Sequence, residues 1–268
     1  MFKDILVHIP SERATGPIID GSVSLAARFN ACLTAISIGY VSSAAHIIGI
    51  SESGRERAAE RTGAALAGFE EEAKKAGISY SCESILASPG EAEKAITGTS
   101  RLFDLSVVLQ PDSEENTHDN RIPAEILFHS GGPVLFVPHI FRGTLDARRV
   151  GLCWDGSRIA ARAFHDARPL LSRAESVAII TVNHADEGHA AADHLARHFA
   201  RVGTQARSIA LTAARSDIQP ALLSLAADEN LDLLVMGGYG HSRLQENFLG
   251  GVTRAMLESM TVPTLMSH

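Results

Sequence analysis

Leu231-Asp232-Leu233-Leu234-Val235-Met236 runs straight into Gly237-Gly238-Tyr239-Gly240-His241-Ser242-Arg243, and Gly250-Gly251-Val252-Thr253 follows. A short apolar run thus ends in glycines, and a second glycine pair opens a stretch with helical spacing. The apolar run has a counterpart earlier in the chain, Phe103-Asp104-Leu105-Ser106-Val107-Val108. Each run is followed, about thirty residues on, by a short apolar strand after a proline: Pro133-Val134-Leu135-Phe136-Val137 and Pro263-Thr264-Leu265-Met266. Working backwards, Ile5-Leu6-Val7-His8-Ile9 pairs in the same way with Val150-Gly151-Leu152-Cys153-Trp154. The two halves begin and end alike. A repeat of half the chain means two domains, not a solenoid. We expect domains at 1–142 and 148–268, joined through the polar stretch Arg142-Gly143-Thr144-Leu145-Asp146-Ala147-Arg148.

Within each half, strand and helix signals alternate. In the second half, 149–154 is a short apolar run closed by Asp155-Gly156-Ser157. Residues 158–172 then carry Ile159, Ala163, Ala167, Leu170 and Leu171 at helical spacing, with Ser157 or Asp155 as cap. Ser176–Val182 is apolar on both faces, as a strand covered by helices on both sides must be. A helix at 188–202 ending before Gly203, a strand at 205–211, a helix at 217–229, a strand at 231–236, a helix at 251–260 and a strand at 262–267 complete the half. The first half has the same order, with a longer second helix over 53–76 ending before Gly77. Strands alternating with helices predict an α/β fold: two tandem open parallel sheets with helices on both faces.

Composition narrows the function. The chain has 268 residues, 45% of them hydrophobic, with a net charge of −7 and a sequence pI of about 5.9. No basic stretch suits nucleic acid. No apolar run reaches the roughly 18 residues of a membrane span, and Met1-Phe2-Lys3-Asp4-Ile5 does not read as a signal peptide. Cys32, Cys82 and Cys153 are far apart and form no metal or disulfide pattern. The expectation is a soluble cytoplasmic protein with no nucleic-acid or membrane partner.

In open parallel sheets, ligands sit at the carboxyl ends of the strands, near the switch in strand order. That brings forward the loop beginning at Asp155 and the loop beginning at Gly237. Glycine lets a backbone come close to a ligand. The free N–H groups and dipole of a helix start attract an anion, and Gly250, Gly251, Val252 and Thr253 stand at such a start. The spacing Gly237-x-x-Gly240, nine residues, then Gly250 and a small residue resembles the nucleotide-binding motif of the universal stress protein family. The stretch from Val235 to His268 and the opening Cys153-Trp154-Asp155-Gly156-Ser157 resemble the same family, so the likeness covers the whole second half.

The resemblance implies a Rossmann-like domain of the adenine-nucleotide α-hydrolase type that binds ATP or another adenine nucleotide, with Mg²⁺ as the ion a triphosphate would bring. It places Asp155 beside the ribose or adenine and Val182 at the adenine edge. Met236 and Gly237 would line the ribose. Gly240, His241, Gly250, Gly251, Val252 and Thr253 would surround the phosphates. The family usually has Ser or Thr where Gly251 stands, so one hydroxyl is lost and Thr253 is the nearest substitute. The first half departs further. Pro10 stands where the second half has Asp155, and Gln110-Pro111-Asp112-Ser113-Glu114-Glu115-Asn116 replaces the glycine loop with carboxylates that repel phosphate. That half reads as a copy without nucleotide binding. The family also implies that the last strand of each domain packs against another domain, within the chain or in a homodimer.

Plainer readings stand beside these. The glycines also serve tight turns, and Asp155 also serves as a helix cap. His184, His189, His194 and His198 read as a solvated helix face, because no convergent ligand set accompanies them. The acidic residues 112–119 read as a solvated, mobile surface loop. No nucleophile or acid partner accompanies His241, and neither a Walker motif nor Gly-x-Ser-x-Gly is present, so no catalytic residue is assigned. The expected function is a nucleotide-dependent stress-response module. The alternatives are a slow ATPase or adenylate hydrolase, and a scaffold that holds no nucleotide.

Overall fold

A computed structural model describes residues 1–42, 52–112, 114–183, 186–238 and 251–268, with the backbone alone for 186–190. The chain divides into two compact units, Phe2–Thr144 and Leu145–His268, the latter joined by Met1. The N-terminal unit runs β1 (Asp4–His8), α1 (Gly16–Phe29), β2 (Cys32–Tyr40), α2 (Glu52–Ala76), β3 (Tyr80–Ala87), α3 (Pro89–Ser100), β4 (Leu105–Leu109), a 3₁₀ turn (His118–Arg121), α4 (Ile122–His129) and β5 (Val134–Val137). The C-terminal unit runs β6 (Arg149–Cys153), α5 (Arg158–Asp166), α6 (Arg168–Leu171), β7 (Ser176–Val182), α7 (Asp186–Arg201), β8 (Gln205–Leu211), a 3₁₀ turn (Arg215–Asp217), α8 (Ile218–Asp228), β9 (Leu233–Gly237), α9 (Gly251–Ser259) and β10 (Thr264–Ser267).

Each unit holds a parallel sheet of the same order. In the first it is β3-β2-β1-β4-β5, and in the second β8-β7-β6-β9-β10. The first strand of each unit therefore lies between the second and the fourth, and the strand order switches beside it. The central strands are buried on both sides, as the apolar runs Ile5-Leu6-Val7 and Leu233-Leu234-Val235 require. The outer strands β3 and β8 are partly exposed and correspondingly polar. In the N-terminal unit α1 packs on α2, and α3 packs on α4. In the C-terminal unit α5 lies over β9 and β10, α7 over β7 and β8, and α8 packs on α9.

The repeat extends to hydrogen bonds. Asp104 accepts from the backbone N–H groups of Lys3 and Asp4 at 2.7 and 3.1 Å. Asp232 does the same for Arg148 and Arg149 at 2.9 and 3.0 Å. The aspartate before the fourth strand thus ties down the start of the first strand in both units. Burial pushes the Asp232 carboxyl above the usual carboxylate range, although those two N–H groups pull it the other way.

Of the boundaries that differ from the sequence reading, two have a clear physical cause. The helix expected over 158–172 is broken at Ala167, where α5 ends and α6 begins. Pro169 cannot donate to the carbonyl of His165, and its ring crowds that carbonyl, so the helix cannot run through. The fourth strand begins at Leu233 and not at residue 231, because Asp232 is engaged with the start of β6.

Candidate functional site

The register of the C-terminal sheet sets the candidate site. Cys153 is paired with Ile180 across β6 and β7, and Leu152 with Val235 across β6 and β9. The loop after β6, the end of β7 at Val182 and the end of β9 at Gly237 consequently leave one edge of the sheet side by side. Asp155, Val182, Met236 and Gly237 are brought together there. Gly251, Val252 and Thr253 form the first turn of α9. Gly240, His241 and Gly250 lie outside the described residues, as do His184 and Tyr239.

Asp155 is exposed, and its Oδ1 accepts from the N–H of Ser157 at 2.8 Å. The cap of α5 is Ser157, whose hydroxyl accepts from Ala160 N at 3.1 Å. Gly156 between them has φ +73°, which favours glycine. Asp155 therefore shapes the turn, with its carboxylate open to solvent. Cys153 is half-buried, and burial, aided by the Asp155 charge, pushes its thiol up to about 12.

Gly237 has a structural cause of its own. A Cβ there would lie 2.7 Å from Ile159 Cγ2 and 3.1 Å from both Ala160 N and Ile159 C. The first turn of α5 rests on the end of β9, and only glycine allows that approach. Gly238 is also committed: its N–H donates to Ser267 O at 2.8 Å, and its carbonyl lies 3.1 Å from His268 Nδ1. Met236 is buried. After Val182, Asn183 adopts φ +57° and clamps Ala213, accepting from its N–H at 3.0 Å and donating to its carbonyl at 2.7 Å.

Gly251 is exposed, and among the described residues nothing lies within 4 Å of the position of a Cβ. Thr253, the substitute hydroxyl, is buried. A hydroxyl at 251 would thus face solvent, where that of Thr253 does not.

Two features were missed in the sequence. Trp154, the sole tryptophan of the chain, follows β6 and packs edge-on against Phe164 at 6.4 Å. Its indole Nε1 is buried and pairs with no acceptor among the described residues. The second feature lies in the N-terminal unit, where His8, Tyr40 and Asp119 meet at the strand ends. The signal for it was a histidine in the otherwise apolar run Ile5-Leu6-Val7-His8-Ile9. The loop expected to be merely solvated is laced together here. Asn120 accepts from Asp112 N at 2.9 Å, and its amide donates to Asp112 O at 2.7 Å and to Glu115 O. Among the described residues no group of His, Cys, Asp and Glu is arranged to hold a metal ion, and no helix is long and apolar enough to cross a membrane.

Comparison with known proteins agrees with this architecture. Residues 147–268 match the model of the universal stress protein family. No curated protein sequence matches the chain. Among solved structures, a universal stress protein from Archaeoglobus fulgidus DSM 4304 is similar with a TM-score of 0.75 at 15% identity, over 98% of this chain and 95% of that one. A putative universal stress protein from Pseudomonas aeruginosa UCBPP-PA14 follows with 0.64 at 14%, over 99% and 93%. A functionally unknown protein from Pseudomonas aeruginosa PAO1 gives 0.63 at 14%, over 99% and 92%. At these identities the structures bear on the fold alone, and they share it along nearly the whole chain. By the family match, residues 147–268 form a domain of the universal stress protein family.

Proposed function

We propose that the C-terminal unit binds an adenine nucleotide, ATP in the first instance, and acts as a nucleotide-dependent regulatory module in the cytoplasm. The observation that carries this reading is the convergence of Asp155, Val182 and Gly237 at the switch in strand order, where open sheets hold ligands. Asp155 presents an exposed carboxylate suited to ribose hydroxyls. The strand end at Val182 offers backbone groups to a base. Gly251 and Val252 stand at the start of the described part of α9, where helix N–H groups would face an anion. In this reading Gly240, His241 and Gly250 complete the phosphate side. The functional domains are 1–142 and 148–268, and only the second takes nucleotide.

The module reading is preferred to an ATPase, because no base and acid pair accompanies the site among the described residues. One observation favours the scaffold reading: Gly251 supplies no hydroxyl. Mass spectrometry of small molecules released from the freshly purified protein separates the two, with Gly240→Val as control. ATP or ADP released by the parent and absent from the variant supports the proposal. No nucleotide from either protein, and no thermal shift with added ATP and Mg²⁺, sinks it in favour of the scaffold.

A further inference from the structure

The duplicated registers give position-by-position equivalents between the units. Asp4 pairs with Cys32 as Arg149 pairs with Ser176, and Ile5 pairs with Leu105 as Val150 pairs with Leu233. Counting along the strands, His8 stands for Cys153, Pro10 for Asp155, Ile38 for Val182 and Leu109 for Gly237. Counting back from Pro133 and Pro263, Asp119-Asn120-Arg121 stand for Leu249-Gly250-Gly251. The place of the C-terminal site can therefore be located in the N-terminal unit.

That place is occupied by the chain itself. The carbonyl of Ile38, the equivalent of Val182, accepts from Ser11 Oγ at 2.5 Å. β2 runs on past Ile38 to Tyr40, whose hydroxyl donates to Asp119 Oδ1 at 3.0 Å. The backbone N–H of Glu12 donates to Asp119 Oδ2 at 2.8 Å. His8 Nε2 lies 3.4 Å from Asp119 Oδ1, and the two side chains are 2% and 1% exposed. The Glu12 carboxylate returns the contact by accepting from His118 N at 3.1 Å. His118 in turn sets its ring 4.9 Å from that of Tyr40. Arg13, 4% exposed, donates to Gln110 O at 2.8 Å and pairs with Glu115 at 3.1 Å. Donors from β2 and from the loop after β1, with the His8 ring of β1 alongside, thus converge on one carboxylate carried by the turn before α4.

We propose that the strand-end crevice of the N-terminal unit is an anion site permanently filled by the chain's own Asp119 carboxylate, an internal ligand that holds the two crevice loops shut. A buried carboxylate with two hydrogen-bond donors and a histidine ring nitrogen beside it is what a bound anion would look like there, and a buried charge persists only when paired in this way. Burial alone would raise the Asp119 carboxyl. The contact and charge of His8, the Glu12 N–H and the Tyr40 hydroxyl outweigh it and hold the group below the usual carboxylate range. The N-terminal unit is then closed without any external ligand, whatever the C-terminal unit binds.

The test is chemical replacement of the carboxylate in the full chain. In Asp119→Ala, hydrogen exchange read by mass spectrometry in peptides spanning 9–16 and 110–121 should speed up by about ten-fold or more, the size expected for lost bonds to a charged group. Sodium formate should restore most of that protection in Asp119→Ala and change nothing in the parent, while sodium chloride at equal ionic strength restores none. Unchanged exchange in Asp119→Ala overturns the proposal, and so does equal rescue by formate and chloride. If Asp119→Ala does not fold, Tyr40→Phe removes one donor and leaves the carboxylate in place. Its exchange in the same two peptides should rise several-fold, and no rise overturns the proposal.

Discussion

Gly237 is named by the nucleotide motif, yet the structure gives it a second duty that a single substitution separates from the first. In Gly237→Ala the new Cβ would sit 2.7 Å from Ile159 Cγ2 and 3.1 Å from two backbone atoms of α5. The Ile159 methyl is on a branched Cβ and has little freedom to swing away, and the backbone contacts yield only if α5 lifts. Overpacking of this kind costs about 1–3 kcal/mol. For a unit of this size that corresponds to roughly 4–12 °C in the melting midpoint. Trp154 is the sole tryptophan and belongs to the C-terminal unit, so its fluorescence reports that unit alone. The assay is thermal and urea unfolding followed by Trp154 emission, with Gly251→Ala as control, because a Cβ at 251 meets none of the described residues within 4 Å. Gly237→Ala should melt earlier, and Gly251→Ala should melt at or slightly above the parent. Equal midpoints for Gly237→Ala and the parent would refute the packing argument and return Gly237 to the ligand alone.

Gly251→Ser supplies the hydroxyl that the family pattern has there. It should tighten ATP binding by about ten-fold, the low end for a hydrogen bond to a charged group, as measured by titration calorimetry. Asp232→Ala removes the clamp on the start of β6. It should destabilise the C-terminal unit by about 1–3 kcal/mol in urea unfolding, since two N–H groups lose their acceptor. The Asp119 carboxyl is depressed in the folded chain, so the stability it lends is present above its unfolded pKa of about 3.9 and is lost as pH falls through the folded value. Among His8, Tyr40, Glu12, Arg13, Arg61, Glu93 and Glu115 around it, the acid-induced rise in exchange at 110–121 should be blunted in Asp119→Asn. Iodoacetamide should label the exposed Cys82 well before Cys153, whose thiol burial pushes up to about 12, as peptide mapping would show.

The fold was legible because its signals are local and doubled. Ser176–Val182 and Gln205–Leu211 lie where their apolar patterns put them, and the aspartate-led runs at 104 and 232 mark equivalent strands. The break at Ala167 was not read, although Pro169 announces it, because apolar spacing continues through to Leu171. At the candidate site, glycine spacing pointed to the carboxyl edge of the sheet. It did not distinguish a glycine required by packing, Gly237, from one whose Cβ position meets none of the described residues, Gly251. That difference depends on how closely α5 approaches, which no residue pattern encodes. The His8–Tyr40–Asp119 cluster was hidden for a related reason. Its members come from β1, the tip of β2 and the turn before α4, and only the sheet register brings them together.

The paired clamps of Asp104 and Asp232 sit at the amino ends of the strands, while the crevice loops that set the two units apart in chemistry sit at the carboxyl ends. A duplicated domain anchored in this way has one end for standing and another for changing. The halves could drift apart in chemistry, one toward an open crevice and the other toward a sealed one, with the shared anchorage untouched. Transplanting the crevice loops of the second half onto the first is then a matter of surgery at one rim of the sheet, and the foundations at the other rim should not register the exchange.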